Sequence, residues 1–260
     1  MIYLTSLKTV VYTSDNPDNS LLISKLEDTF ALALVRHKNC YLGFLNEAEI
    51  YFAEEYLKKS DYDFCFWGGY ENSERKILCA LYNDFVSDDV PVSAIEFSYR
   101  KTDKLSHRDF LGTIMSLGIE RDTVGDILIE EGRSVVFVKT EIKDYIISQI
   151  DKIGGVGVKI SEADLENLPD KEEFKDQTVT LSSLRLDAIV AVFAGVSREK
   201  AQRLISQGLV MINYSPCSSL SRKVKVNDIV SVRKHGKCII KNLIGETKKG
   251  RLKLAVQFIR

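Results

Sequence analysis

The stretch "SREKAQRLISQG" sets two basic residues, Arg198 and Lys200, in the first turn of a short helical pattern. Ser197 stands where an N-cap belongs, and Ala201, Leu204 and Ile205 form the apolar stripe, with Arg203 and Gln207 opposite. A helix N-terminus offers unpaired N–H donors and partial positive charge. Arg198 and Lys200 turn that mouth into an anion site, and phosphate is its natural occupant. Their stems lead away from the stripe, so reversing their charge should spare the fold.

Three other stretches raise chemistry and carry it less far. Gly68-Gly69 follows a strand-like "FCFW" and precedes a segment with helical spacing, an arrangement that can cradle a phosphate; a plain tight turn explains it as well. Neither a P-loop nor a G-x-G-x-x-G fingerprint occurs, which removes support for a nucleotide-driven enzyme or a methyltransferase cofactor loop. In "SHRD", residues 106–109, consecutive side chains on one helical turn point apart and cannot form a triad; His107 and Arg108 fit a surface helix better than a phosphate contact. "RLD" at 185–187 matches the aspartate motif of pseudouridine synthases superficially. A cap or a local ion pair with Arg185 outweighs catalysis for Asp187, because a catalytic aspartate would need its own downstream domain.

The partner class follows from charge. The 260 residues balance to −1, yet from Leu181 to Arg260 there are 16 Lys and Arg against 4 Asp and Glu, or +12. The first 180 residues hold the other 20 bases and 33 acids, or −13. An acidic body joined to a strongly basic last third points to a polyanion. No apolar run reaches membrane-span length and no signal-peptide order opens the chain, so a cytoplasmic protein without a membrane partner is expected. Five cysteines without a C-x-x-C pair suggest reduced, mostly buried thiols, and three scattered histidines make a metal site improbable.

The elements that must carry these residues are readable in part. Residues 20–59 read as helical, with Asn46 and Glu49 as a capping box and Leu45 with Ile50 as a staple. From Pro91 to Ile160 the order is βαββαβ, a ferredoxin-like pattern. It comprises the alternating strand around Ile95, Phe97 and Tyr99; a helix capped by Ser106 and Asp109 and ended by Gly118; "GDILI" and "SVVFV" joined at "EEGR"; a helix from Thr140; and "GVGVKI". That pattern is shared with a large class of RNA-binding modules, although "GRSVVFVKT" holds one aromatic where such modules stack two. "SEADLENLPDKEEFKDQ" then reads as a solvated acidic linker or edge that marks a domain boundary near residue 180. Beyond it come a helix with Leu186, Ile189, Val190 and Phe193 on one face, the "SREK" helix, "VMIN", a turn through Ser215-Pro216, the strand–turn–strand "KVKVNDIVSVRKHGK", and a last hairpin turning at Lys249-Gly250. The expected architecture is α+β: a mainly helical part over 1–60, a ferredoxin-like domain over 61–165, a linker over 166–180, and a small α+β module over 181–260.

The last module resembles the RNA-binding module of ribosomal protein S-four, which also occurs in tyrosyl-tRNA synthetases, pseudouridine synthases and a heat-shock protein of stranded ribosomal subunits. "RLDAIV", "SREKAQRLI", "GLVMIN" and "VNDIVSVRKHGK" carry the likeness. In that family the second helix and basic strand residues grip the RNA backbone. The resemblance therefore implies Arg185, Ser197, Arg198, Lys200, Gln202, Arg203, Lys225, Arg233 and Lys234 as RNA-binding residues. Over roughly residues 60–260, "FWGGYENSERK", "LSHRDFLGTIMSLGIERDTVGDILI", "SSLRLDAIVA" and "TKKGRLKL" resemble the YlmH family of bacterial RNA-binding proteins. That likeness implies a link to rescue of stalled large ribosomal subunits holding peptidyl-tRNA, with genes near cell-division genes. The expected function is thus a non-catalytic binder of ribosomal RNA or tRNA on the large subunit, without cofactor, metal or small-molecule substrate. The alternative is an enzyme of pseudouridine-synthase or methyltransferase type modifying ribosomal RNA.

Overall fold

The computed structural model describes residues 17–169, 175–248 and 250–259, in two compact units. The expectations for residues 1–16, for 170–174 of the acidic linker and for Lys249 of the last turn lie outside the described residues.

The first unit begins with α1 (Pro17–Arg36), β1 (Cys40–Leu45), α2 (Glu47–Leu57), β2 (Phe64–Trp67) and β3 (Lys76–Ala80). Its three-stranded sheet runs β1-β3-β2, with both pairings antiparallel. Leu22, Leu26, Phe30 and Ala33 of α1 and Ala53 and Leu57 of α2 share a core with Cys40, Leu45, Leu78 and Ala80. The Asn46–Glu49 capping box forms as the sequence predicts: Asn46 Oδ1 accepts from Ala48 and Glu49 N–H, and Glu49 accepts from the Asn46 N–H at 2.7 Å. Two expectations are corrected. The stretch 20–59 is not helical throughout, because β1 interrupts it, and the segment after Gly69 is a loop leading into β3, the central strand. Both strands are short apolar runs whose spacing does not separate strand from buried helix.

That loop is pinned by buried charge. Asp126 accepts from Tyr70 Oη at 2.7 Å, Glu74 N–H at 2.7 Å and Arg75 N–H at 2.9 Å. The Arg75 guanidinium donates to the carbonyls of Val124, Phe44 and Arg121. Burial lowers the pKa of Arg75, and burial with the nearby Arg75 charge lowers that of Arg121 to about 10. A Cβ on Gly68 would sit 2.3 Å from the Arg75 carbonyl oxygen, and Gly69 has φ +100. The two glycines thus serve close packing of the loop on its own chain, the tight-turn reading.

Next come β4 (Val92–Ser98), α3 (His107–Ser116), β5 (Val124–Glu130), β6 (Arg133–Lys139), α4 (Thr140–Gln149), a small antiparallel hairpin β7 (Lys152–Ile153) and β8 (Val156–Gly157), and β9 (Lys159–Glu162). The sheet order β5-β6-β4-β9 is that of a ferredoxin-like βαββαβ fold, with β4 and β9 antiparallel. Asp109 accepts from Ser106 N–H at 2.8 Å and from its hydroxyl at 2.6 Å, which sets the start of α3. "GVGVKI" is more broken than expected, since the β7–β8 hairpin ends within it before β9 begins.

The second unit ends in β10 (Lys175–Leu181), α5 (Leu186–Ala194), α6 (Arg198–Ser206), β11 (Val210–Ile212), β12 (Ser215–Pro216), β13 (Ile229–Val232), β14 (Gly236–Glu246) and β15 (Leu252–Ile259). They form a six-stranded antiparallel sheet, β10-β15-β14-β13-β11-β12. Its core holds Leu186, Ile189, Val190 and Phe193 of α5, Ala201 and Ile205 of α6, and Leu254, Val256 and Phe258 of β15. β10 corrects the linker reading: residues 175–181 are a sheet strand paired with β15 along its whole length. Its polar "KDQT" looks like solvent-facing chain because those residues lie on an exposed edge strand. "KVKV" enters no strand; Lys223 makes a single bridge to Arg185.

The Asp126 carboxylate gathers three donors, so its loss leaves Tyr70 Oη and two backbone N–H groups unpaired. Asp126→Ala should cost about 3 kcal/mol, read as a lowered urea midpoint of the full chain.

Candidate nucleic-acid interface

α5 starts at Arg185 as N-cap and stops at Gly195, whose φ of +65 a residue with a Cβ would resist. Two residues later Ser197 caps α6, its side chain accepting from the Lys200 N–H at 3.3 Å. This short connection turns the first residue of α6 back toward the first turn of α5. There Asp187 is fully buried, with 0% of its side chain exposed. Arg185 reaches its carboxylate through Nε and Nη2, both at 3.1 Å. Arg198 does so through Nε at 3.0 Å and Nη2 at 3.2 Å, and Gln202 donates through Nε2 at 3.2 Å. Burial pushes the Asp187 carboxyl up, but the hydrogen bonds from Arg185, Arg198 and Gln202 outweigh it and hold the group well below the usual carboxylate range.

Two forked guanidiniums on one carboxylate leave a local charge of +1 at the start of α6. Both guanidinium-bearing side chains stay partly open to solvent, Arg185 at 39% and Arg198 at 49%. Their planes are therefore fixed from inside while their outer edges remain available. The expectation that Arg198 could be charge-reversed without harm to the fold is corrected: a glutamate there would face the buried Asp187 carboxylate.

The remaining predicted residues divide into groups. Lys200 is exposed, and no carboxylate among the described residues pairs with it. Arg203 is exposed and bonds Glu199 at 2.5 Å one turn back, a surface pair of small energetic weight. Lys225 is exposed, its backbone N–H bonded to Asp228 Oδ2 at 2.8 Å. Arg233 and Lys234 are exposed in the β13–β14 turn, where Lys234 has φ +69. Of the nine, the structure gathers Arg185, Arg198 and Gln202 on one carboxylate. The sequence pattern pairs Asp187 with Arg185, but the reach from Arg198 and Gln202 depends on how α5 and α6 pack and has no local signal.

Comparison with known proteins bears on the same segments. Residues 86–167 match a family described as "Putative RNA-binding domain in YlmH", and residues 184–230 match the S4 domain. The chain is 31% identical over 254 residues to the "Ribosome-associated protein quality control protein P2" of Bacillus subtilis (strain 168), covering 95% of this chain and 98% of that one. The chain belongs to the YlmH family. A solved structure titled "Cell division protein ylmH from Streptococcus pneumoniae" aligns with a TM-score of 0.53 at 21% identity, over 62% of this chain and 99% of that one; it bears on fold alone. In this YlmH-family chain the S4 match contains seven of the nine residues, Arg185 through Lys225, while Arg233 and Lys234 fall just past it. The RNA-binding match spans β4 to β9. No helix among the described residues is long and apolar enough to cross a membrane.

Removing the buried carboxylate should release both arginines. Asp187→Ala should cost about 2–3 kcal/mol, less than the roughly 3–5 of a fully buried pair, because half-exposed guanidiniums can rehydrate. The folded carboxyl titrates below the ordinary value of about 3.9, so this contribution is present at neutral pH and is lost on acidification below about 4. Thermal melts between pH 7 and pH 3 should show a shallower acid decline in Asp187→Asn than in wild type.

Proposed function

We propose that this chain is a non-catalytic, cytoplasmic RNA-binding protein. It docks through its basic C-terminal module on structured ribosomal RNA or tRNA of the large ribosomal subunit and acts there in translation quality control. The observation that carries this reading is the pair of guanidiniums anchored on Asp187 and left half open at the mouth of α6. Held in this way, Arg185 and Arg198 lose little side-chain freedom when a phosphate arrives. Lys200 adds an exposed charge in the same helical turn, and Lys225, before β13, and Arg233 and Lys234, after it, add exposed charges elsewhere on the module. The module's +12 balance supplies the attraction, and the similarity to the ribosome-associated Bacillus subtilis protein supports the ribosomal setting. Asp187 is unsuited to the rival role of a catalytic aspartate on a modified base, since five hydrogen bonds and full burial withdraw it from any substrate.

Lys200→Glu is the direct probe, because Lys200 carries charge without the buried pairing of Arg198. Binding through about four to six phosphates makes wild-type affinity fall about a hundredfold to a thousandfold between about 50 and 200 mM salt. Lys200→Glu should weaken binding to large ribosomal subunits, flatten the salt slope by about one unit, and keep the melting temperature within about 2 °C. An unchanged slope in filter binding would remove Lys200 from the interface.

Domain limits are open to a matching test. We place the start of the module at Lys175, because β10 pairs with β15. A fragment of residues 175–260 should fold and bind ribosomal RNA, whereas 182–260, without that strand, should melt at a lower temperature.

A further inference from the structure

The hairpin β11–β12 turns on Asn213 and Tyr214 alone, since Ile212 pairs with Ser215. Both turn residues have positive φ, +47 for Asn213 and +62 for Tyr214, the type I′ geometry that favours Asn followed by Gly. Asn213 suits its place. Its Nδ2 donates to Asp228 Oδ1 at 2.9 Å, and its Oδ1 accepts from the Ile229 N–H at 2.8 Å. Tyr214 does not: a side chain with a bulky Cβ substituent is strained in this region, where glycine would sit freely. Strain kept by the surrounding hydrogen bonds is a mark of a site, and here it falls on a half-buried aromatic residue at the tip of a hairpin.

The surroundings of that ring are basic and sheet-like. Lys237 Nζ lies over it at 6.0 Å from the centroid. Met211, Ser231 and Lys237 are paired in register across β11, β13 and β14 and so form one row on one face of the sheet. The opposite face carries the buried Ile212, Val230 and Cys238. In the row, Met211 is exposed, and the buried Ser231 Oγ has no hydrogen-bond partner among the described residues. The ring therefore stands at the border of a partly open face that offers an apolar thioether and an ammonium group.

We propose that Tyr214, held in its strained turn by Asn213 and Asp228, is a stacking platform for an unpaired nucleobase of the bound RNA, with Lys237 placed for the adjoining phosphate. The inference rests on the RNA-binding reading above and adds what phosphate contacts cannot: a preference for looped over fully paired RNA.

The test uses the full chain, deproteinised ribosomal RNA and a fully paired RNA duplex, with affinity read over a salt series and the melting temperature taken on the same samples. Tyr214→Gly should weaken binding to ribosomal RNA about tenfold and change duplex binding by less than about twofold. Its salt slope should match wild type, because stacking releases no counterions. Its melting temperature should equal or exceed wild type, because glycine relieves the turn. Tyr214→Phe should bind as wild type does. Undiminished affinity of Tyr214→Gly for ribosomal RNA overturns the proposal, as does a loss that falls equally on the duplex or comes with a lowered melting temperature. Should wild type bind neither RNA, the RNA-binding reading itself fails and takes this inference with it.

Discussion

A buried carboxylate between two arginines sets the geometry of the basic module. Asp187 lies in the first turn of α5, Arg185 just before it, and Arg198 and Gln202 on the next helix. Five hydrogen bonds at 3.0–3.2 Å draw these groups onto one point. A buried charge that lost its partners would be costly, so the relative placement of α5 and α6 is tightly specified. The same bonds fix the guanidinium planes, so in the proposed reading the structural task and the recognition task fall on the same atoms.

The first unit uses arginine differently. Arg75 is drawn inside and its donors are spent on the carbonyls of Phe44, Arg121 and Val124, while Asp126 holds the backbone of the same loop. Burial lowers the Arg75 pKa. One chain thus holds two kinds of arginine site, one buried on carbonyls and one half open on a carboxylate.

How much of this the sequence revealed depended on range. Caps are local, so Asn46 with Glu49, Ser106 with Asp109, and Ser197 were readable from spacing alone. The βαββαβ order was readable because its helices and strands differ in period, and the sheet order β5-β6-β4-β9 agrees with it. β1 and β3 were misread because apolar runs on both faces of a strand erase the period of two. β10 was hidden for the opposite reason: four of its seven residues are exposed, and its partner lies more than 70 residues away. At the candidate site, the charges of the "SREK" helix and the Arg185–Asp187 pair were visible. The convergence of Arg198 and Gln202 was not, since it arises from the packing of two helices. The sequence places the turn after "VMIN" at Ser215-Pro216, but those residues are strand and the turn falls on Asn213-Tyr214, since nothing in composition marks a tyrosine with positive φ.

The β10–β15 ladder also orders events in folding. Each helix, the turn between α5 and α6, and the hairpins β11–β12 and β13–β14 join neighbours in sequence and can close early. β10 and β15 bracket everything between them, and their pairing waits on the loss of entropy of the largest loop in the module. The guanidiniums on Asp187 belong to the local group, and so do Leu254, Val256 and Phe258, which the hairpin β14–β15 carries; Leu181 joins the core only when the outer ladder closes. The corner between α5 and α6 and the hairpins can thus close on local contacts, and β10 is the strand added across the longest loop.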